Sequence, residues 1–262
     1  MASLDIQRTE HPDWLSNAYL VVNGDTKEGV LIDGNGVSGP LIERIEREQI
    51  AITAILLTHH HADHVEIEAY RRFDAPILAH PETAQLAGLE RVDRGLLDGE
   101  VVSTAGLQIE ALYTPGHARD HIAFLVEDHC FTADVIFRGT VGGTRGPGGS
   151  NLTELRSSID RLLALPPQTT LHPGHREPTT VVQELAANPF VLAWRDGGSV
   201  IHEACTVRGE SAELLLWGPD YDDTHKAWVR LADGSEHVVG GSQVKRLPRA
   251  PGDSCRTELI GD

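Results

Sequence analysis

Thr58-His59-His60-His61-Ala62-Asp63-His64 places four histidines and a carboxylate within six positions. Imidazole nitrogen and carboxylate oxygen are the usual ligands of zinc and neighbouring transition metals. As His-x-His-x-Asp-His, the spacing offers His59 and His61 to one metal and turns Asp63 and His64 toward a second. The bland alternative is a solvated, histidine-rich turn. Three later positions favour the metal. They are His117 in Thr114-Pro115-Gly116-His117, Asp134 in Phe131-Thr132-Ala133-Asp134, and His175 in His172-Pro173-Gly174-His175. Each is a ligand-type residue just after a short apolar run. If those runs are neighbouring strands, their ends converge on one edge. The chain has 14 histidines, so spacing rather than number has to carry the argument.

Nearby polar residues have competing roles. His60 points away from its neighbours in the motif and is read as structural or exposed. His172 is read as a strand-end histidine, because His175 fits the motif and one ligand suffices. Asp120 and His121 either touch the ligands from behind or belong to a solvated loop. Asp33 either supports the site from a neighbouring strand or is a simple turn aspartate. Thr58 is placed to hydrogen-bond behind the ligands.

The elements that must position these residues follow from apolar patterning. Ile52 to Leu57 is a β-branched run that predicts a buried strand ending at the histidine loop. Asn17–Gly24 and Gly29–Gly34 predict a hairpin. Ser38 as N-cap, Pro40 in the first turn, and Leu41, Ile42 and Ile45 on one face predict a helix. Val65 to Phe73 reads as helical, Ile77 to His80 as a short strand, and Pro81-Glu82-Thr83 as a helix start. Val101 to Tyr113 predicts two strands around Ala105-Gly106. Ile122 to Val126 and Cys130 to Ala133 predict two more, followed by a glycine-rich loop from Gly139 to Gly149. Asn151 and Glu154 form a capping-box pattern before the stripe Leu152, Leu155, Ile159 and Leu162. Thr169 to His172 predicts a last strand, and Thr179 to Trp194 a helix broken near Asn188-Pro189.

The texture changes after Asp196-Gly197-Gly198. Val200–Val207, Ala212–Trp217, Ala227–Leu231 and His237–Val239 read as strands, with a hairpin turn at Ala232-Asp233-Gly234-Ser235. This divides the chain into a first unit over 1–197 and a small β-rich module with a tail over 198–262. The aromatics Trp217, Tyr221 and Trp228 beside Asp220, Asp222 and Asp223 suggest an SH3-like barrel that recognises a peptide or subunit. The alternatives are that they form the module's core, cover an active-site mouth or build a homodimer.

Composition narrows the class. The 262 residues are 40% hydrophobic and 23% charged, ordinary for a globular protein. A formal net charge of −17 argues against nucleic acid and anionic membranes as partners and leaves a small-molecule substrate as the expectation. No apolar run approaches a membrane span. Met1-Ala2-Ser3-Leu4-Asp5 lacks the basic-then-apolar pattern of a secretory signal, and the three cysteines, Cys130, Cys205 and Cys255, are too few for a disulfide framework. A cytoplasmic location is therefore expected.

The ordered set His-x-His-x-Asp-His, Pro-Gly-His, Asp, Pro-Gly-His resembles the metallo-β-lactamase-fold hydrolases over residues 10 to 195, and within them glyoxalase II-type proteins. The resemblance implies an α/β fold, a four-layer αββα sandwich with a metal pair at its loop ends. Carried over, His59, His61 and His117 hold the first metal, Asp63, His64 and His175 the second, and Asp134 bridges both. The implied cofactor is two divalent ions, zinc first, with iron or manganese as alternatives. A hydroxide shared between the metals would cleave a thioester or ester carbonyl, with Asp63 and Asp134 as the catalytic carboxylates. Two features depart from glyoxalase II. Relatives often read Gly-Arg-Thr or Gly-Arg-Ser after the bridging aspartate, where this chain has Gly142-Gly143-Thr144-Arg145, leaving Arg145 or Arg138 as substitutes. The C-terminal region also reads as β rather than helical. Lactonases share the ligand set. Persulfide dioxygenases resemble the same scaffold, with one iron held by two histidines and an aspartate. Asp134 argues against a native role in antibiotic hydrolysis, and the short interval from Asp134 to His175 leaves no room for an RNA-binding insertion.

Overall fold

A computed structural model of the chain describes residues 3–195 and 200–247. Two six-stranded sheets form its centre. The first runs Leu4–Glu10, Asn17–Asn23, Glu28–Ile32, Ala51–Leu56, Ile77–Ala79, Arg94–Gly95. Its first three strands are antiparallel and the remainder are added in parallel. Asn17–Asn23 is buried throughout. Its alternate residues serve two cores. Tyr19 and Val21 meet Val30, Ile32, Ile109, Phe124 and Phe131 between the sheets. Ala18, Leu20 and Val22 face Leu41 and Ile45 of helix Gly39–Glu48.

The second sheet runs Thr179–Thr180, Thr170–Pro173, His129–Ala133, Ile122–Val126, Leu107–Tyr113, Val101–Thr104. Its outer face packs on helix Leu152–Leu163 through Leu155, Ile159 and Leu162. The Asn151 side chain accepts the Glu154 N–H, so the expected cap forms. Helices Val181–Ala187 and Pro189–Arg195 complete this layer, separated at Asn188 as expected. The order helix, sheet, sheet, helix is the αββα sandwich.

Three local expectations need correction. Val65–Phe73 is a short strand, Val65–Glu66, followed by a 3-10 turn, Glu68–Phe73. Val65–Glu66 pairs in parallel with Gly34–Asn35, so backbone pairing beside the histidine loop takes the residues an α-helix would need. Thr179–Thr180 pairs with Thr170–Leu171 before its helix begins. Leu4–Glu10 is an additional edge strand that weak alternation had hidden.

Beyond residue 199 lies an antiparallel five-stranded sheet, ordered Glu236–Gly240, His225–Leu231, Glu210–Pro219, Glu203–Val207, Val244–Arg246. It has its own small core of Cys205, Val207, Leu214, Ala227, Val229 and Val239. Its other side joins the main body. Leu215, Trp228 and Val238 share a cluster with Leu152, Leu155, Phe190 and Val191. The boundary expected at 197/198, the tail after Leu247 and Cys255 lie outside the described residues. Cys130 and Cys205 are buried and unpaired. Among the described residues, no helix is long and apolar enough to cross a membrane.

Candidate metal centre

All seven expected ligand residues converge where the strands of both sheets end. His59, His61, His117 and Asp134 form one group, and Asp63, His64 and His175 another. Within each group one ligand atom per residue lies within 4.8 Å of every other. The His61 Nδ1 stands 3.1 Å from His59 Nε2 and 2.9 Å from His117 Nε2. Asp134 sits between the groups. Its Oδ2 is 3.4 Å from both His117 Nε2 and His175 Nε2, and its Oδ1 is 3.3 Å from His64 Nε2. Asp63 Oδ2 lies 3.7 Å from His64 Nε2 and 3.6 Å from His175 Nε2.

Backbone bonds fix these loops. Ile122 N–H donates to Thr58 O at 2.8 Å and ties the histidine loop to the second sheet. Gly174 N–H donates to Ala133 O, and Asn17 N–H to Gly174 O, binding the His175 loop to both sheets. Gly174 leaves no room for a side chain. A Cβ there would fall 2.0 Å from Asp134 Oδ1 and 2.9 Å from His64 Cε1. Gly174→Ala is therefore expected to displace Asp134 and weaken metal binding by about 10- to 100-fold, read by competition with a chromogenic chelator.

The imidazoles share one pattern. On each ring the nitrogen turned away from the centre meets an oxygen. His59 Nδ1 meets Thr58 Oγ1 at 3.0 Å, His61 Nε2 meets Pro147 O at 2.8 Å, and His64 Nδ1 meets Asp33 Oδ2 at 3.0 Å. His117 Nδ1 meets Gly143 O at 2.9 Å and His175 Nδ1 meets Trp14 O at 3.0 Å. Carbonyl and carboxylate oxygens can only accept. Thr58 donates its own hydroxyl proton to Asp33 Oδ2, so Thr58 Oγ1 accepts as well. Each outward nitrogen thus carries a proton, which leaves the inward nitrogen to offer a lone pair, although at His64 that lone pair is free only once a cation takes the place of the proton that Asp134 and Asp33 favour there.

Electrostatics agree. Burial holds His59 and His61 below the usual histidine range and pushes His117 down to about 3, so these rings stay neutral donors. Burial opposes ionisation of Asp134, but His175 and His64 hold it well below the usual carboxylate range. Burial also works against a charged His64, yet Asp134 and Asp33 raise it well above its ordinary value. The centre therefore has a negative carboxylate and a strong demand for positive charge. His64 Nε2 and Asp134 Oδ1 are buried 3.3 Å apart, and neither has a well-aligned hydrogen bond. Converging lone pairs, an ionised carboxylate and imperfectly paired buried polar atoms fit cations at both groups.

The supporting residues resolve as follows. Asp33 is buried and accepts from Thr58 N–H at 2.8 Å, Thr58 Oγ1 at 2.7 Å and His64 Nδ1, so it supports the site rather than a turn. Asp33→Ala would leave these donors buried and unpaired. A stability loss of roughly 3 kcal/mol is expected, measured by urea unfolding. His60 is structural, donating from Nδ1 to Asp120 Oδ1 at 2.7 Å, while Asp120 also accepts from Thr83. His121 is fully buried, and its Nε2 accepts the Asp134 N–H at 3.3 Å. The solvated-loop alternative for Asp120 and His121 is thereby excluded. His172 stacks on Phe131 and bonds His129, away from the ligands.

Sequence reasoning missed the carbonyl acceptors at Trp14, Gly143 and Pro147, which have no side-chain signature. It also missed how Tyr221 would be used. The Tyr221 ring stacks on His175 at 4.0 Å and 11°. Arg176, next to His175, donates to Tyr221 O and Asp223. Lys226 pairs with Asp220 at 2.9 Å, both nearly buried, with its ammonium over the Phe137 and Tyr221 rings. The C-terminal sheet thus forms a wall of the site. Its aromatics divide between roles: Trp228 packs on the main body, Trp217 on the sheet's own core, and Tyr221 on a candidate ligand.

Known proteins resemble this chain in sequence and fold. A sequence profile described as the metallo-beta-lactamase superfamily matches residues 11–65. Hydroxyacylglutathione hydrolase GloC of Haemophilus influenzae is 34% identical over 188 residues, covering 64% of this chain and 89% of that protein. The chain belongs to the metallo-β-lactamase superfamily. Within the superfamily, the crystal structure of TTHA1623 in a di-iron-bound form aligns with a TM-score of 0.62 and 34% identity, over 70% of this chain and 99% of the other. That of ETHE1 from Myxococcus xanthus aligns with a TM-score of 0.65 and 27% identity, over 71% and 84%. Superfamily membership makes the chain a metal-dependent hydrolase by class.

Proposed function

We propose that the chain hydrolyses a thioester or ester carbonyl with two divalent metal ions, in the manner of glyoxalase II-type enzymes. One observation carries this: five buried or half-buried imidazoles each have the outward nitrogen bound to an oxygen acceptor and the inward nitrogen turned to the centre, beside Asp63 and Asp134. His59, His61 and His117 would hold the first ion, Asp63, His64 and His175 the second, and Asp134 both. Divalent ions at such sites lower the pKa of bound water toward about 7 and polarise a carbonyl oxygen.

The chain's own residues do the rest. Asp134, ionised between the two groups, sets their separation. Asp63 is the more exposed carboxylate, with its side chain 26% accessible, and would orient the attacking water as well as hold the second ion. Phe137 and Tyr221 line the side nearest His175 and limit water there. A cavity of about 270 Å³ opens from His117 and Asp134 between the 143–146 loop and the C-terminal sheet. Its size suits a small acyl or leaving group. The net charge of −17 supports a small-molecule substrate over nucleic acid or an anionic membrane. Zinc is the first expectation for the ion, and the likeness to a di-iron form supports iron as an alternative. A cytoplasmic setting and a homodimer remain part of this reading.

A panel of thioesters, lactones and persulfides assayed on metal-loaded protein tests it. Turnover of a thioester or ester without oxygen consumption is expected. The likeness to ETHE1 favours one competing reading, a single-iron persulfide dioxygenase. Oxygen uptake with a persulfide and no ester turnover would replace the hydrolase with that oxidoreductase.

A further inference from the structure

His60 and the glycine-rich loop after Asp134 meet each other, and both reach the first ligand group. The His60 ring is buried, 4.7 Å from the His61 ring. Its Nδ1 donates to Asp120 Oδ1 at 2.7 Å. Asp120 is fully buried and also accepts from Thr83 Oγ1 at 2.8 Å, so one edge of the ring is fixed. The far edge, Cε1 and Nε2, meets Gly148. A Cβ on Gly148 would fall 2.9 Å from His60 Nε2 and nearer still to Cε1. The Gly148 φ of +65° lies in the left-handed region. Glycine alone satisfies both the backbone angle and the close contact.

The loop that rests on His60 supplies carbonyl acceptors to two of the three imidazoles in the first group. Pro147, next to Gly148, presents its carbonyl to His61 Nε2 at 2.8 Å. Gly143 presents its carbonyl to His117 Nδ1 at 2.9 Å. Backbone bonds hold the loop in this place. Gly149 N–H donates to Gly146 O at 3.1 Å, Arg119 N–H to Gly148 O at 2.9 Å, and Ser150 N–H to Gly116 O at 3.2 Å. The second group leans elsewhere, His64 Nδ1 on Asp33 Oδ2 and His175 Nδ1 on Trp14 O. An imidazole whose outer N–H lies on a fixed acceptor keeps its tautomer and ring angle. His61 therefore depends on the loop, and the loop on His60.

We propose that His60 is a positioning residue for the first metal ion: held by Asp120, it supports Gly148 and so places the Pro147 carbonyl that orients His61. His60 acts through the loop and touches neither ion nor substrate. This rests on the two-metal part of the proposed function and not on its reaction. Breaking the support frees the His61 ring to turn, and the cost falls on the first ion alone.

The test is zinc titration of the stripped, full-length protein against a chromogenic chelator that resolves two equivalents. Two variants break the support from opposite sides. Gly148→Ala pushes the loop off the ring. His60→Asn keeps an amide N–H for Asp120 and removes the edge beneath Gly148. Each should weaken one equivalent by about tenfold or more and leave the other within about twofold, with the metal-free protein melting close to wild type. Combined with His117→Ala, which already removes a first-group ligand, Gly148→Ala should cost the surviving equivalent nothing further. Combined with His175→Ala, it should weaken the surviving equivalent as it does in the wild-type background. Unchanged zinc affinity in both variants, equal weakening of both equivalents, or weakening that tracks a lower melting temperature would each overturn the proposal. The readout needs no turnover. Selective loss of one equivalent in a protein that hydrolysed none of the panel would keep His60 in this role and remove the hydrolase reading. A wild type holding fewer than two zinc ions would remove the two-metal centre and this role with it.

Discussion

Asp134→Ala is expected to bind fewer than two metal ions per chain and, on the proposed hydrolase reading, to lose activity by roughly three orders of magnitude. Both effects follow from position. Asp134 is the only carboxylate that approaches both ligand groups among the described residues, reaching His117, His175 and His64 within 3.4 Å. Without it the two sets of imidazoles face each other with no negative charge between them, so cations there repel without compensation. Asp134→Asn separates charge from shape. The amide keeps the volume and the loop, whose N–H is held by His121. It should melt close to wild type and still lose metal. Elemental analysis after dialysis reads the first effect, and initial rates on the best thioester of the panel read the second. Two tightly held metals with full turnover in Asp134→Ala would remove the bridging role.

Ending the chain after residue 195 is the second large expected effect. The C-terminal sheet is not an independent appendage. Leu215, Trp228 and Val238 bury against Leu152, Phe190 and Val191. Each such apolar side chain contributes about 1.5–3 kcal/mol when buried, so the shortened chain should lose on the order of 5 kcal/mol and expose an apolar face. A marked drop in melting temperature, with association visible in light scattering, is expected. Metal binding should weaken as well, because Tyr221 and the Arg176 contacts steady the His175 loop. Tyr221→Ala isolates this second effect in the full-length chain. It should weaken one metal equivalent and spare the other, and Tyr221→Phe, which keeps the stacked ring, should restore it. A shortened chain with unchanged melting, size and metal content would show the sheet to be dispensable.

The sandwich was legible because alternation in strands such as Asn17–Asn23 and the stripe Leu152, Leu155, Ile159, Leu162 are direct consequences of burying two faces of each sheet. The clustering of the candidate ligands was legible because their side chains follow strands in short loops, and strand order carries them to one edge. Three things were not. Carbonyl acceptors at Trp14, Gly143 and Pro147 depend on backbone direction rather than residue type. The strand Val65–Glu66 exists through pairing with Gly34–Asn35, a contact that local propensity does not encode. For Tyr221 the sequence left peptide recognition, a module core, a cover for the active-site mouth and a dimer contact all open, because nothing near it in sequence reveals that its ring lies on His175. Gly143 contributes through its backbone, as the carbonyl that meets His117 Nδ1.

Metal content of the purified protein, reconstituted with zinc and freed of loosely bound ions, tests the central claim most directly. Seven converging ligand residues with five inward nitrogens predict about two ions per chain, with hydrolysis lost on chelation and regained on their return. A single tightly bound iron, or no metal retained at all, would contradict the two-metal centre.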